Sequence, residues 1–366
     1  MFLRLVAIGA AICLSLSAAQ TAAQAQSWQD QWKATLEAAK GQTMTAVVQS
    51  NQSFDPIFEE FTKKTGVKVD VTVSRPSSTL ARMRTEQKND QYSWDLWWGG
   101  TSNMVNSAAP AGMIEPLEKY LILPEVKDAS NWRHPDFIWG DAGRHVFIHL
   151  NEINYAFLRN TKILPEIKVT NADVLLDPRL KGKISMRDVS APNFGTFALA
   201  TILHEKGPAF LAKFLKEQEP RVYENPQQLE ASIVRGNQAL AIGLESSLWE
   251  QCRKDGGCKE IDQLEHFSVA ISWGLSVPKN PPHPEAVKVW LNWVLSKLGQ
   301  EATVRNWVKY NQTGAVSMRK DVPPAPGHER YLPDFTKPDQ YVFVSTEKGS
   351  KEIAETIKIF KEAMGR

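Results

Sequence analysis

Two apolar periods alternate along the chain. Thr43 to Gln49 reads Thr-Met-Thr-Ala-Val-Val-Gln, a short buried strand that Ser50-Asn51-Gln52 ends. Phe54, Ile57, Phe58 and Phe61 then keep a spacing of three to four residues, and Gly66 stands where a C-terminal cap belongs, so a helix is predicted. Val67 to Val73 alternates as a second strand. Ser77 or Ser78 is expected to cap a helix through Leu80, Met83 and Gln87, and Trp94 to Trp98 forms a third strand broken by Gly99-Gly100. This order of strand and helix predicts an α/β chain with an open parallel sheet covered on both faces.

A second such unit begins with the strand Lys183 to Met186. Helices are expected from near Thr196, over 208–218 and over 226–235, then a strand Ala239 to Gly243 and a long strand Phe267 to Pro278. Pro284 opens a helix with Val287, Trp290, Leu291, Val294 and Leu298 on one face, closed by Gly299. The tail 350–364 is amphipathic through Ile353, Ile357, Phe360 and Met364, and the Pro-rich stretch 321–338 reads as an extended surface strap.

The N-terminus departs from this alternation. Arg4 precedes an apolar run from Leu5 to about Ala19, and Ala23-Gln24-Ala25 follows. A basic start, a short apolar run and an A-x-A site predict a secretory signal peptide over 1–25, cleaved before Gln26, and hence an exported protein. The run is shorter than the ~20 residues that a membrane span needs. Two cysteines remain beyond it, Cys252 and Cys258, around a Gly-Gly loop. Oxidising surroundings and a loop able to bend predict a local disulfide, whereas two thiols alone do not complete a zinc site. The 43 Lys and Arg nearly balance 41 Asp and Glu, which argues against a nucleic-acid partner.

Catalytic motifs are few. No G-x-S-x-G, G-x-G-x-x-G or P-loop pattern occurs. Ser317-Met-Arg-Lys320 and Lys64-Thr-Gly66 match pieces of an acyl-serine signature, but in reversed order and without S-D-N between them. His145 and His149 have helical zinc spacing, yet Val146-Phe147-Ile148 predicts a strand, where four residues span about 13 Å, and both are expected on a solvated face. The strand-end loops are more informative. Ser50-Asn51-Gln52, Arg75-Pro-Ser77-Ser78, Gly99-Gly100-Thr101-Ser102-Asn103 and Ala191-Pro-Asn193-Phe-Gly195-Thr196 each precede a helix. Ligands of open α/β sheets sit outside the carboxyl ends of the strands, where free helix N–H groups suit anions. Ordinary N-capping uses the same residue types.

Phe58-Glu-Glu-Phe61-Thr-Lys-Lys-Thr65-Gly66-Val-Lys-Val resembles the opening block of type II periplasmic substrate-binding proteins of ABC importers. Asp95-Leu-Trp-Trp-Gly-Gly-Thr101, Ala111-Gly-Met-Ile-Glu-Pro-Leu117, Leu176-Asp-Pro-Arg-Leu-Lys-Gly-Lys-Ile184 and Val234-Arg-Gly-Asn-Gln-Ala-Leu-Ala-Ile-Gly243 are similar to later blocks, in order. The resemblance is to the branch with ferric-ion, spermidine, thiamine, phosphonate and hexose-phosphate binders. It implies two Rossmann-like lobes with open mixed sheets, residues 27–148 plus 271–366 and residues 149–270, joined by two hinge strands near Val146–Tyr155 and Phe267–Trp273. It also implies a monomeric periplasmic receptor that uses no cofactor, catalyses no reaction and delivers its ligand to the transmembrane subunits of an ABC permease.

Departures from the family pattern narrow the ligand. Ferric binders of the branch resemble one another in a pair of adjacent tyrosines, which the seven tyrosines of this chain do not form. Glu245 is the one acid near the expected pocket loops, too few for a polyamine. Asn193-Phe-Gly195-Thr196 resembles the Ser-Gly-Thr turn of phosphate and phosphonate binders. A solute bearing phosphate, phosphonate or carboxylate is therefore expected, held by Ser50, Asn51, Gln52, Ser77, Ser78, Gly100, Thr101, Asn193, Gly195, Thr196 and Glu245, with Trp98, Trp273 and Trp249 stacking on its organic part. A tryptophan box around a polyamine or quaternary amine is the alternative. A periplasmic enzyme on the same fold is the third reading, tested by whether Glu245, Asp55 and His204 cluster.

Overall fold

The computed structural model describes residues 28–49, 54–134, 138–311, 316–337 and 340–365. The expected signal peptide and Ser50, Asn51 and Gln52 lie outside them. Helix α1 (28–39) leads into β1 (Thr43–Val48), α2 (Asp55–Thr65), β2 (Lys68–Val73), α3 (Pro76–Lys88), β3 (Leu96–Gly100), β4 (Ile114–Glu115) and α4 (Pro124–Lys127). Then come β5 (Val146–Tyr155), β6 (Phe157–Asn160), β7 (Ile184–Arg187), α5 (Phe194–Lys206), α6 (Pro208–Gln218), β8 (Arg221–Tyr223) and α7 (Pro226–Val234). They are followed by β9 (Leu240–Ile242), α8 (Ser246–Lys254), β10 (Ile261–Gln263) and β11 (Ser268–Pro278). The chain ends with α9 (Pro284–Leu295), α10 (Lys297–Asn311), β12 (Val316–Ser317), β13 (Val342–Phe343) and α11 (Glu347–Met364).

These strands form two sheets. The first runs β12-β5-β11-β3-β1-β2, with β4 and β13 also paired to β11, and the second runs β10-β6-β9-β7-β8. Each sheet has a parallel centre, β2-β1-β3 and β8-β7-β9, as the alternation predicts. Both are nevertheless mixed, because β11 is antiparallel to β3 and β5, and β6 to β9. The chain leaves the first sheet between Tyr155 and Phe157 and returns between Gln263 and Ser268. The expected lobe limits, 148/149 and 270/271, therefore fall inside β5 and β11, which pair with each other along nine residues.

Each sheet carries its own core. Ile57, Phe58 and Phe61 of α2 pack with Trp98, Trp290 and Leu291 over the first sheet, and Gly66, at φ 76°, ends α2 in a conformation that suits glycine. Over the second sheet, Leu199, Ile202 and Leu203 of α5 join Leu211 and Phe214 of α6. Helix α5 is buried on most of its surface because α11 covers the side turned away from the sheet, and Ile359 and Phe360 of α11 enter this second core. The tail expected in the first lobe thus lies on the second.

Three local expectations change. Arg75, not Ser77 or Ser78, is the residue preceding α3; Pro76 occupies its first turn and both serines are exposed within it. Gly299 does not close α9, which stops at Leu295. Gly299 instead lies in the first turn of α10, where a Cβ would stand 1.9 Å from the Trp293 carbonyl oxygen, so only glycine lets the two helices follow so tightly. His149 is fully buried, not solvated: Gln300 donates to its Nδ1 at 2.9 Å. It is the extra residue of a β-bulge, since β11 pairs Trp273 with Leu150 and Gly274 with Ile148.

Cys252 of α8 is bonded to Cys258, six residues on. Closing so short a loop stabilises by about 2 kcal/mol in the chain-entropy account. Reductant is expected to lower the unfolding midpoint by a few degrees while the far-ultraviolet circular dichroism is unchanged. An unchanged midpoint would show that packing alone holds the end of α8.

Candidate functional site

The carboxyl ends of the parallel strands gather two groups of residues. In the first sheet, β1 ends beside Gln49, whose Oε1 accepts the Gly100 amide at 2.5 Å. A Cβ at Gly99 would stand 2.8 Å from that oxygen, so the Gly99-Gly100 pair makes room for the Gln49 side chain. Gly100 pairs with Trp273 across the ladder, and the bulge at Trp273/Gly274 seats the indole at this strand end. The Thr101 hydroxyl bonds the Ser345 hydroxyl and the Ser272 carbonyl, so Thr101 braces the strand end from within.

In the second sheet, β7 ends in Arg187, β9 runs into Gly243 and Glu245, and α5 begins at Phe194. A Cβ at Gly195 would lie 2.8 Å from the Arg187 Cβ, and one at Gly243 would lie 2.5 Å from the Gly195 Cα and 3.1 Å from the Arg187 Cβ. The two glycines let strand ends and helix start close around Arg187. Its Nη1 stands 3.7 Å from Glu245 Oε1. Burial pushes the Glu245 carboxyl above its ordinary range, and the Arg187 guanidinium only partly offsets this. Asn193 Oδ1 accepts from the Gly195 and Thr196 amides at 2.7 and 3.4 Å, and the Thr196 hydroxyl donates to the Ala191 carbonyl at 2.8 Å. These amides are capped within the helix, and the exposed chemistry of this end belongs to Arg187 and Glu245.

The two groups border one apolar patch. Phe194 and Phe197 at the start of α5, and Trp273 of the first sheet, all pack on Ala200, Val269, Ile271, Val342, Val344 and Ile353. The tryptophans divide otherwise. Trp98 is fully buried, edge-on to Phe54 at 4.4 Å and to Phe58 at 5.7 Å, which removes it from any ligand. Trp249, half-buried on α8, donates its indole N–H to the Ile261 carbonyl at 3.0 Å and packs against the core that includes Leu158, Ile233 and Ile261. Trp273, half-buried, is the one of the three left at the strand ends. Asp55 opens α2, Glu245 precedes α8, and His204 occupies the last turn of α5, 2.7 Å from Glu352, so these three stand on separate elements.

A cavity of about 530 Å³ is lined by Tyr155, His204, Glu205, His266 and Arg330, and by neither Arg187, Glu245 nor Trp273. Among the described residues, no three His, Cys, Asp or Glu side chains gather to hold a metal ion, and no helix is long and apolar enough to cross a membrane. Arg187 and Gln49 escape a reading of loops, because each is a single polar residue closing an otherwise ordinary strand. What could have pointed to Arg187 is a charged residue at the carboxyl end of a central strand.

Residues 44–306 match the family described as bacterial extracellular solute-binding protein. An uncharacterized protein of Haemophilus influenzae is 26% identical over 270 residues, 72% of this chain and 75% of its own length. Among solved structures, iron-bound HitA from Pseudomonas aeruginosa superposes with a TM-score of 0.64 at 18% identity, over 88% of this chain and 99% of its own. The periplasmic binding protein AfuA from Actinobacillus pleuropneumoniae, with fructose-6-phosphate bound, superposes with a TM-score of 0.59 at 19% identity, over 88% and 99%. These structural likenesses show a shared two-lobe fold.

Proposed function

The chain belongs to the bacterial extracellular solute-binding proteins, and from that premise we propose that it captures a small anionic organic solute between its two lobes. On this reading the solute bears phosphate, phosphonate or carboxylate, and the protein works in the periplasm as a monomer after loss of residues 1–25. It hands the solute to the membrane permease of an ABC importer, and no covalent step is involved. The observation that carries the ligand class is Arg187, a guanidinium seated by two glycines at the carboxyl end of β7. Such a fork matches the oxygens of phosphate or carboxylate. Trp273, at the facing strand end, supplies an aromatic surface for the organic part.

The amine reading loses its box, since Trp98 is buried in a core and the Trp249 indole N–H is bonded to the Ile261 carbonyl within α8's own packing. The fructose-6-phosphate bound by AfuA agrees with the preferred class, whereas the adjacent tyrosines by which ferric binders of the branch resemble one another do not occur in this chain.

Thermal unfolding of the ligand-stripped protein against phosphorylated sugars, phosphonates, carboxylates, polyamines, quaternary amines and ferric citrate tests this reading. A ligand present at a thousand times its dissociation constant adds roughly 4 kcal/mol, enough to raise the midpoint by several degrees. A rise confined to anions is expected. A rise with amines or ferric citrate alone would overturn the anion reading.

A further inference from the structure

The cleft's guanidinium has a resident partner. Arg187 and Glu245 keep 22% and 41% of their side chains exposed, so their contact is half-buried and open to solvent on one side. Glu245 holds the N-cap position of α8, yet its carboxylate makes no capping hydrogen bond. Capping therefore does not fix the place of this acid. Nor does the pair have the close geometry of a structural ion pair, since its shortest separation is 3.7 Å. A carboxylate left in this position meets whatever approaches Arg187.

Resting on the reading of Arg187 as anion anchor, we propose that Glu245 determines specificity. It repels anions that carry no hydrogen-bond donor and accepts a hydrogen bond from those that bear a hydroxyl or ammonium beside the charged group. An ionised carboxylate only accepts hydrogen bonds. Next to sulfate or a fully ionised alkyl phosphate it supplies like-charge repulsion at a few ångströms, in a partly desolvated place where that repulsion is strong. Next to a hydroxylated phosphate, or an acid bearing an amino group, it gains a charge-assisted hydrogen bond. Discrimination then comes from a repulsive element and an attractive one in the same side chain.

The test uses titration calorimetry at pH 8, where propyl phosphate carries no donor, with sulfate, propyl phosphate and glycerol 3-phosphate as probes. Wild type is expected to prefer glycerol 3-phosphate. Glu245→Gln is expected to bind sulfate and propyl phosphate about tenfold tighter than wild type does and to lose the preference. Glu245→Ala, checked by its unfolding midpoint, guards against a folding defect in the first variant, and adding Arg187→Ala to Glu245→Gln should abolish the gain. If Glu245→Gln binds sulfate no better than wild type while glycerol 3-phosphate binding still depends on Arg187, the role of Glu245 is wrong and the anion anchor stands. If no probe binds wild type or variant, the anion anchor falls as well.

Discussion

Arg187→Ala is expected to weaken binding of the anionic solute about a hundredfold, the size of one lost charge-assisted contact plus the penalty of leaving its partner unpaired. Two losses combine. The solute loses its guanidinium, and it then meets the Glu245 carboxylate without the neighbouring cation that offsets that charge. Arg187→Lys should recover part of the affinity, because an ammonium restores the charge but not the two-pronged geometry. Calorimetric titration with the solute identified by the thermal panel reads both variants. A loss under threefold for Arg187→Ala would mean that the solute is held elsewhere in the cleft. Gly243→Ala should imitate part of this loss without touching the charge. Its Cβ would press on Gly195 and on the stem of Arg187, and glycine at φ 93° already occupies backbone space that alanine enters with strain.

The second large effect is on acid stability. His149 is wholly buried beside Trp98, its ring centre 5.4 Å from the indole, and burial pushes its pKa down to about 3. The folded state thus binds this proton less readily than the unfolded state, whose value is 6.5. Stability from the neutral ring is fully present above pH 6.5 and is lost as pH falls toward 3, at about 1.4 kcal/mol per pH unit. Over that window the loss is on the order of 5 kcal/mol, a large part of the stability of an ordinary domain. His149→Gln keeps a hydrogen-bonding group toward Gln300 and does not titrate. Its denaturant midpoint should start below that of wild type at pH 7 and fall much less between pH 6.5 and 4. Parallel slopes for the two proteins would show that the acid limb belongs to other groups.

Much of the fold is legible in the chain because its determinants are local. The spacing of Ile57, Phe58 and Phe61 makes one helix face, and Gly66 ends it in place. Helix α6 occupies the expected 208–218, and the sulfurs of Cys252 and Cys258 are close along the chain before any folding. The family blocks likewise follow the sequence in order. The site is legible only in outline. Strand-end loops mark the region, but the polar groups in Asn193-Phe-Gly195-Thr196 are spent on capping α5, and Trp98, prominent in sequence, points into the core because alternation along β3 sends it there.

What only tertiary structure decides is which distant residues meet. Arg187 comes to Glu245 because β7 and β9 are neighbours in the second sheet, and Gly195 and Gly243 allow the close approach. His149 is buried because β5 bulges against β11, and the tail crosses to the second core because α5 offers it an apolar side. Periodicity reports which face of an element is apolar. It does not report which neighbour covers that face, since pairing and packing depend on contacts between segments far apart in the chain.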